Sequence, residues 1–562
     1  MDRVDALDDE HLQALLPALA EAARANQQTV DRFVPPKVGI VDETASRRHQ
    51  FILGRRGVGK SSLVRMVERD SRRSESAVAF IDLETLKGIP YPDVLIQLLI
   101  ELFKVLEEGL KRPRFGRNPR KTIQRYKARR DLRRLRSDFA VLLSEPESSE
   151  VTVKRIRSRA AKVGTKISLD GAYRRSGAGL ALHAGRQQDE AEAEDSAVQA
   201  TFTRTKMEGL YAAASSIRSV LSETMEHLAK GPGYIILDDF YHIRHADQPP
   251  VLAYLHQVVK NLDIYLKVCA VRHRLNEFVE GDPPVGLQMG HDAGQISLDI
   301  TLASFPAAQR FLESVLEGIC SPLDIRLDQF ITDAARQRLV LASGGVVRDY
   351  LNLIHSGLRE ANERPSGQFR FHNRIGNEDV NEASVRLSEQ KQEDLRRDAG
   401  PNAEALRERL TDVVGFCLDH NETNVFLVEG TKLKEEPWGH EIQALTDLRL
   451  VHEIGNFTIK NSKYRGRRFV GFTLDLSHYT GTRSERIKQV NFWQKGGTQG
   501  LRRISLIYYP EYVRKVAVKQ TQQSSKVPLA AVETIPLFDL EGEELEFEEA
   551  DFHAETAGQQ PG

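Results

Sequence analysis

Residues 54–61 read GRRGVGKS, a stretch whose residue types and spacing suit a phosphate chain. The pattern is G-x-x-x-x-G-K-[ST], in which glycines let successive backbone N–H groups turn toward phosphate oxygens. Gly54, Arg55, Arg56, Gly57, Val58 and Gly59 would form the cradle, with Ser62 at the start of the helix behind it. That helix N-terminus adds the positive end of its dipole. Lys60 would reach the β- and γ-phosphates, and the Ser61 hydroxyl would ligate Mg²⁺.

Residues 234–239, YIILDD, supply the second part: four apolar residues followed by two carboxylates. A carboxylate at the C-terminal end of a buried strand lies where α/β sheets bind ligands. Asp238 is the expected Mg²⁺ residue and Asp239 the group that polarises the attacking water. Taken alone, the pair could simply end a strand in a polar turn. Two arginines extend the set. Arg272 follows the apolar run 265–271 (YLKVCAV) and would face the γ-phosphate, unless it is an ordinary exposed strand end. Arg348 follows a glycine pair in SGGVVRDY at 343–350 and could swing onto the nucleotide, unless it belongs to a capped surface helix.

Simple elements must position these groups. Residues 51–53 read as a buried strand before the loop, and 62–69 as the helix after it. Residues 77–83 (AVAFIDL) form a second buried strand, and 91–109 have helical periodicity. A long helix is expected from 203 through 228, and 300–385 read as mostly helical.

In the order GRRGVGKS, YIILDD, VCAVRHR and GGVVR, the chain resembles the AAA+/STAND superfamily of P-loop ATPases. Origin-recognition-type and STAND ATPases are the nearest groups. The resemblance covers about residues 30–385 without the insertion described below. It implies an α/β fold: a P-loop NTPase core with a parallel sheet, a helical lid and a C-terminal winged-helix domain. It also implies ATP and Mg²⁺ as cofactors, Arg272 as sensor 1 and Arg348 as sensor 2. An arginine at sensor 1 looks more like the STAND members. The implied organisation is an N-terminal helical segment at 1–32, the ATPase core at 33–299, the lid at 300–390, the winged helix at 400–480 and a tail at 481–562.

One departure stands out. Ser61 and Asp238 are 177 residues apart, longer than a compact core needs. Residues 110–202 read as an insertion: a basic helix, then a hairpin-like piece, a Gly/Ala-rich patch and an acidic stretch at 189–195. Residues 111–136 carry thirteen Lys or Arg with Asp131 the lone acid. Such a run is a solvated helix face or a contact for nucleic acid or an acidic partner.

In the C-terminal module, residues 403–418 and 438–448 would be helices, the second in the recognition position. Residues 457–460 and 468–474 would be the wing strands. The wing turn at 461–468, NSKYRGRR, suits phosphate or minor-groove contact. The recognition-position helix carries Glu441 and Asp447 and lacks a cationic face, so the module could instead pack on the core or a partner. The tail is first basic and then acidic, with eight acids from Asp539 to Asp551.

The formal net charge of −1 excludes a uniformly basic coat or an acidic solvating chain. Three well-separated cysteines, Cys269, Cys320 and Cys417, argue against a disulfide framework. The acidic N-terminus lacks signal-peptide character, and no apolar run reaches membrane-span length. The expectation is a soluble cytoplasmic protein. Its function would be a nucleotide switch coupling ATP binding and hydrolysis to DNA engagement or assembly, with a homo-oligomer or protein partner. Alternatives are a signalling or defence scaffold whose winged helix binds protein, and a DNA-binding module in which nucleotide only stabilises the fold. The second carboxylate, Asp239, argues against that last reading.

Overall fold

The computed structural model describes residues 9–24, 33–111, 119–157, 196–228, 230–363, 374–398, 402–459, 462–480, 487–494, 497, 501 and 503–510. All of these fall in one unit running from Met1 to Pro510. The expected Gly/Ala-rich patch, the acidic stretch and the acidic tail lie outside the described residues.

The chain begins with α1 (Asp9–Ala22) and the short α2 (Ile40–Thr44). It then enters β1 (Gln50–Leu53), the phosphate loop, α3 (Lys60–Arg73) and β2 (Ala77–Asp82). Helices α4 (Asp93–Lys111) and α5 (Pro119–Ser144) follow. A hairpin of β3 (Ser148–Arg157) and β4 (Ser196–Thr205) leads into α6 (Lys206–Leu228). The core closes with β5 (Gly233–Asp238), α7 (Gln248–Val259), β6 (Ile264–Ala270), the two-residue strands β7 (Phe278–Val279) and β8 (Val285–Gly286), and β9 (Gly294–Ser297).

Five of these strands form a parallel sheet in the order β2-β5-β6-β1-β9. The molecule is therefore α/β with a parallel central sheet, as the sequence predicts. Strands covered on both faces read as continuous apolar runs, and β1 and β5 are buried at every position. Their side chains alternate between two cores. Tyr234 and Ile236 join Leu63, Val64 and Val67 of α3, while Ile235 and Leu237 join α4, α6 and α7.

The basic helix α5 belongs to the second core. Ala128, Leu132, Leu135 and Phe139 lie four, three and four residues apart, which makes one buried stripe. Three of its cations turn inward. Arg129, Arg133 and Arg136 converge on Glu107 of α4 at 3.4, 2.5 and 3.0 Å. Burial works to raise the Glu107 carboxyl, yet these arginines hold it below its usual range.

Five helices follow the sheet: α8 (Phe305–Cys320), α9 (Leu327–Phe330), α10 (Asp333–Ser343), α11 (Val347–Glu363) and α12 (Asn377–Asp398). Helix α1 packs on α8 and α11, with Leu15 and Leu19 fully buried. Helix α1 is thus part of the helical layer.

The last part contains α13 (Ala403–Gly415), β10 (Val425–Glu429), α14 (Gly430–Glu435), α15 (Pro437–Asp447), β11 (Val451–Phe457) and β12 (Phe469–Leu474). Its three strands form an antiparallel sheet in the order β10-β12-β11. Helix α15 is engaged within the molecule. Glu441 pairs with Arg409 at 2.7 Å, Trp438 packs edge-on to Tyr508, and Asp447 pairs with the His273 ring. Among the described residues, no helix is long and apolar enough to cross a membrane.

Candidate nucleotide site

The phosphate loop leaves β1 between two parallel neighbours, β6 and β9. Gly57 and Gly59 adopt φ of +88° and +97°, a region that side chains with a Cβ avoid. Gly57 is also crowded: a Cβ there would stand 2.8 Å from Cβ of Arg348. The Arg348 N–H donates to the Gly57 carbonyl at 3.1 Å, so α11 begins directly against the loop.

Lys60 opens α3 and is buried. Its Nζ donates to the carbonyls of Gly54 and Arg55 at 2.8 and 3.1 Å. Burial lowers its pKa, and the charges of Asp239, Cys269, Asp299 and Asp238 oppose that shift.

Asp238 ends β5 and is also buried. Burial, then the charge of Asp239, raises its pKa to about 6, while a hydrogen bond from Ser61 and the charge of Lys60 pull the other way. Asp239 lies just past the strand in a left-handed conformation, φ +51°, and its N–H donates to Asp238 Oδ1 at 3.1 Å. The Ser61 side chain hydrogen-bonds the Asp238 carboxylate, and both are hard oxygen donors. That pair fits Mg²⁺, which takes one or two protein oxygens and fills its remaining positions with water and phosphate.

Around these groups runs a cleft lined by Arg56, Gly57, Gly59, Lys60, Ser61, Ser62, Asp239 and Arg348. Sequence reasoning missed Ala22, Ala23, Glu84, Tyr241 and Val347, which line it too. Ala22 and Ala23 end α1, and Arg348 Nε donates to the Ala23 carbonyl at 3.3 Å. Burial, then the neighbouring charges of Arg56 and Arg449, lowers the Arg348 pKa.

Not every predicted residue faces the cleft. Val58 turns into the core beside Leu63 and Ile52. Arg55 turns away as well: its N–H and Nε donate to Asp299 Oδ1 at 2.9 and 3.2 Å, and Nη2 donates to the Ile300 carbonyl at 2.9 Å. Its backbone still belongs to the loop. Arg272 is a correction. Its guanidinium meets Glu277 at 3.4 Å and Met289 Sδ at 3.2 Å, and lines a separate hollow with Phe278 and Gln295. The reason is local. Strand β6 stops at Ala270 and residues Arg272–Arg274 form a 3-10 turn, which redirects the side chains. Arg274, two residues on, stacks over the ring of Tyr241 at 4.6 Å.

Residues 18–88 match the family model described as ORC-CDC6-like. That span contains the end of α1, the phosphate loop and Glu84. No curated protein matches the chain significantly. Among solved structures, the Orc1 protein of Aeropyrum pernix in complex with DNA aligns with 84% of this chain and 91% of its own at 12% identity, with a TM-score of 0.29.

The cleft is tied to the last three-stranded sheet by charged groups. Arg56 of the phosphate loop lies 3.6 Å from Asp394 of α12. Asp394 also accepts from Arg449 at 2.9 Å, and Arg449 donates to Asp349 at 2.6 Å. Asp349 is the residue after Arg348 and is fully buried. Beside it, Lys391 donates to Asp475 at 2.5 Å, and the His452 ring is 3.0 Å from the same carboxylate. Burial works to raise the Asp475 carboxyl, but Lys391 and His452 hold it well below its usual range. One connected set of ions thus spans the loop, α11, α12 and the segment from Arg449 to Asp475.

Proposed function

We propose that this protein is an ATP- and Mg²⁺-dependent molecular switch of the AAA+ kind, whose C-terminal module engages DNA. The observation that carries this reading is the ionic chain from Arg56 through Asp394 to Arg449. A triphosphate beside Lys60 and Arg348 would also attract Arg56, in competition with Asp394. Any change in that contact reaches Arg449 and hence the C-terminal module. Phosphate occupancy at one end and module position at the other are thereby linked.

In this reading the loop N–H groups and Lys60 hold the β- and γ-phosphates. Ser61 and Asp238 hold Mg²⁺, which neutralises charge between those phosphates when bound. Arg348 senses the γ-phosphate from the lid. Asp239 orients the attacking water, and hydrolysis removes the charge that Arg56 and Arg348 follow.

The helices and strands from Ala403 to Leu474 occur in winged-helix order, and we read them as that domain. The chain between β11 and β12 offers exposed Lys463, Arg465, Arg467 and Arg468 beside Tyr464, a composition suited to phosphate contact. Because α15 is engaged by Arg409, Tyr508 and His273, we assign the DNA contact to this wing, with the outer face of α5 as a second basic surface. The same engagement of α15 favours the second reading, a scaffold whose winged helix meets protein, including another copy of the chain.

Turnover measurements test the catalytic part. Lys60→Ala should weaken nucleotide binding by ~10-fold or more, since it removes a charge-assisted phosphate contact. Asp239→Asn should bind ATP normally and turn it over ~10²-fold more slowly. Wild-type turnover in Asp239→Asn would remove its assigned role.

A further inference from the structure

The cleft is lined by a second carboxylate besides Asp239. Glu84 lines it together with Lys60, Asp239 and Arg348. It stands on the 3-10 turn Leu83–Leu86, just past the end of β2. Strands β2 and β5 are paired with Asp82 opposite Asp238, so the two chain exits leave the sheet side by side. The turn after β2 also packs against the turn Phe240–His242 after β5.

That turn is held firmly. The Asp82 carboxylate accepts the Glu84 N–H at 3.0 Å, and the Thr85 hydroxyl donates to the Asp82 carbonyl at 2.9 Å. Glu84 itself is exposed to the cleft, and among the described residues its carboxylate has no hydrogen bond or ion pair. Asp239 is placed differently. Its side chain is one methylene shorter and its backbone N–H is turned onto Asp238. Its charge is also the leading one that opposes the burial of Lys60. The charges of Asp239 and Glu84 both bear on the half-buried imidazole of His242, which puts the two carboxylates in one neighbourhood.

We infer that Glu84 is a catalytic residue of this site: the base that takes the proton of the attacking water while Asp239 orients that water. This rests on the ATPase reading above. As the water oxygen bonds to the γ-phosphorus, its proton passes to the Glu84 carboxylate. The bond from the γ-phosphorus to the bridging oxygen breaks, and its electron pair leaves on ADP. The proton then passes from Glu84 to solvent, which restores the carboxylate.

The test is steady-state ATP turnover and ATP affinity of the full chain, in the wild type, Glu84→Gln and Glu84→Asp. Glutamine keeps the shape and the Asp82-capped turn while removing the proton acceptor. The expected result is a kcat lower by ~10²-fold or more in Glu84→Gln, with ATP affinity unchanged and partial recovery in Glu84→Asp. A Glu84→Gln protein turning over at the wild-type kcat overturns the inference and leaves the ATPase reading intact. A loss of ATP affinity with kcat unchanged also overturns it, because Glu84 would then be a binding group. A wild-type chain that binds ATP without turnover overturns the hydrolytic reading, and this inference with it.

Discussion

Lys60 and Lys267 are both buried lysines, and their surroundings give them different work. Lys60 lines the cleft beside Asp238 and Asp239. Lys267, on β6, has no carboxylate partner among the described residues. It donates to the carbonyls of Ser46 and Arg48 at 2.8 and 2.9 Å and to Gln50 Oε1 at 2.5 Å, and so ties the start of β1 to the centre of the sheet. Burial pushes its pKa down to about 7. Its folded pKa is then below the unfolded value, so between about pH 7 and 10 the unfolded chain binds more protons. Stability should rise with pH across that window, and below about pH 7 the full cost of the buried charge is present. Lys267→Met should flatten this rise, a difference on the order of a few kcal/mol seen by denaturant titration at pH 7 and pH 10. Parallel pH profiles for the two proteins would contradict this account of Lys267.

At the scale of elements, the contact of α11 and α12 with the last sheet depends on buried charge. Arg449 reaches both Asp349 and Asp394, and Asp349 is fully buried. Removing one partner of such a pair costs about 3–5 kcal/mol, and the Lys391 ammonium, 3.8 Å from Asp349, offsets only part of that. Arg449→Met should therefore destabilise the chain by about that amount in equilibrium unfolding, and replacing Asp349 by Asn in the same protein should restore part of it. A loss under about 1 kcal/mol would mean that Lys391 and Arg56 compensate the two carboxylates. The sequence made some elements legible and hid others for physical reasons. The strands at 50–53 and 233–238 were readable because burial on both faces leaves only apolar residues. The loop was readable because Gly59 is demanded by positive φ and Gly54 by the crowding of Val58. Arg348 was readable because a glycine pair sets the start of its helix. The misplacement of Arg272 came from a 3-10 turn with no sequence signature in an otherwise regular strand exit. The inward arginines of α5 read as surface charge because their partner, Glu107, sits on another helix. Glu84 and Ala22–Ala23 reach the cleft through tertiary packing alone, which no local pattern encodes.

Across the whole molecule, the central claim is that nucleotide and DNA are coupled through charge. Arg56 lines the cleft, Arg449 anchors the segment before β11, and Asp394 touches both. Linkage makes the coupling reciprocal: if ATP changes DNA affinity, DNA changes ATP affinity by the same factor. The chain between β11 and β12 contributes exposed cations, so DNA binding through it should weaken steeply with salt. The most direct test is duplex-DNA affinity of the full chain at two salt concentrations, with and without Mg-ATP, for the wild type and Lys60→Ala. The account predicts that Mg-ATP changes the wild-type DNA affinity by about 5-fold or more at fixed salt, and leaves that of Lys60→Ala unchanged. Equal wild-type affinities with and without Mg-ATP would contradict it.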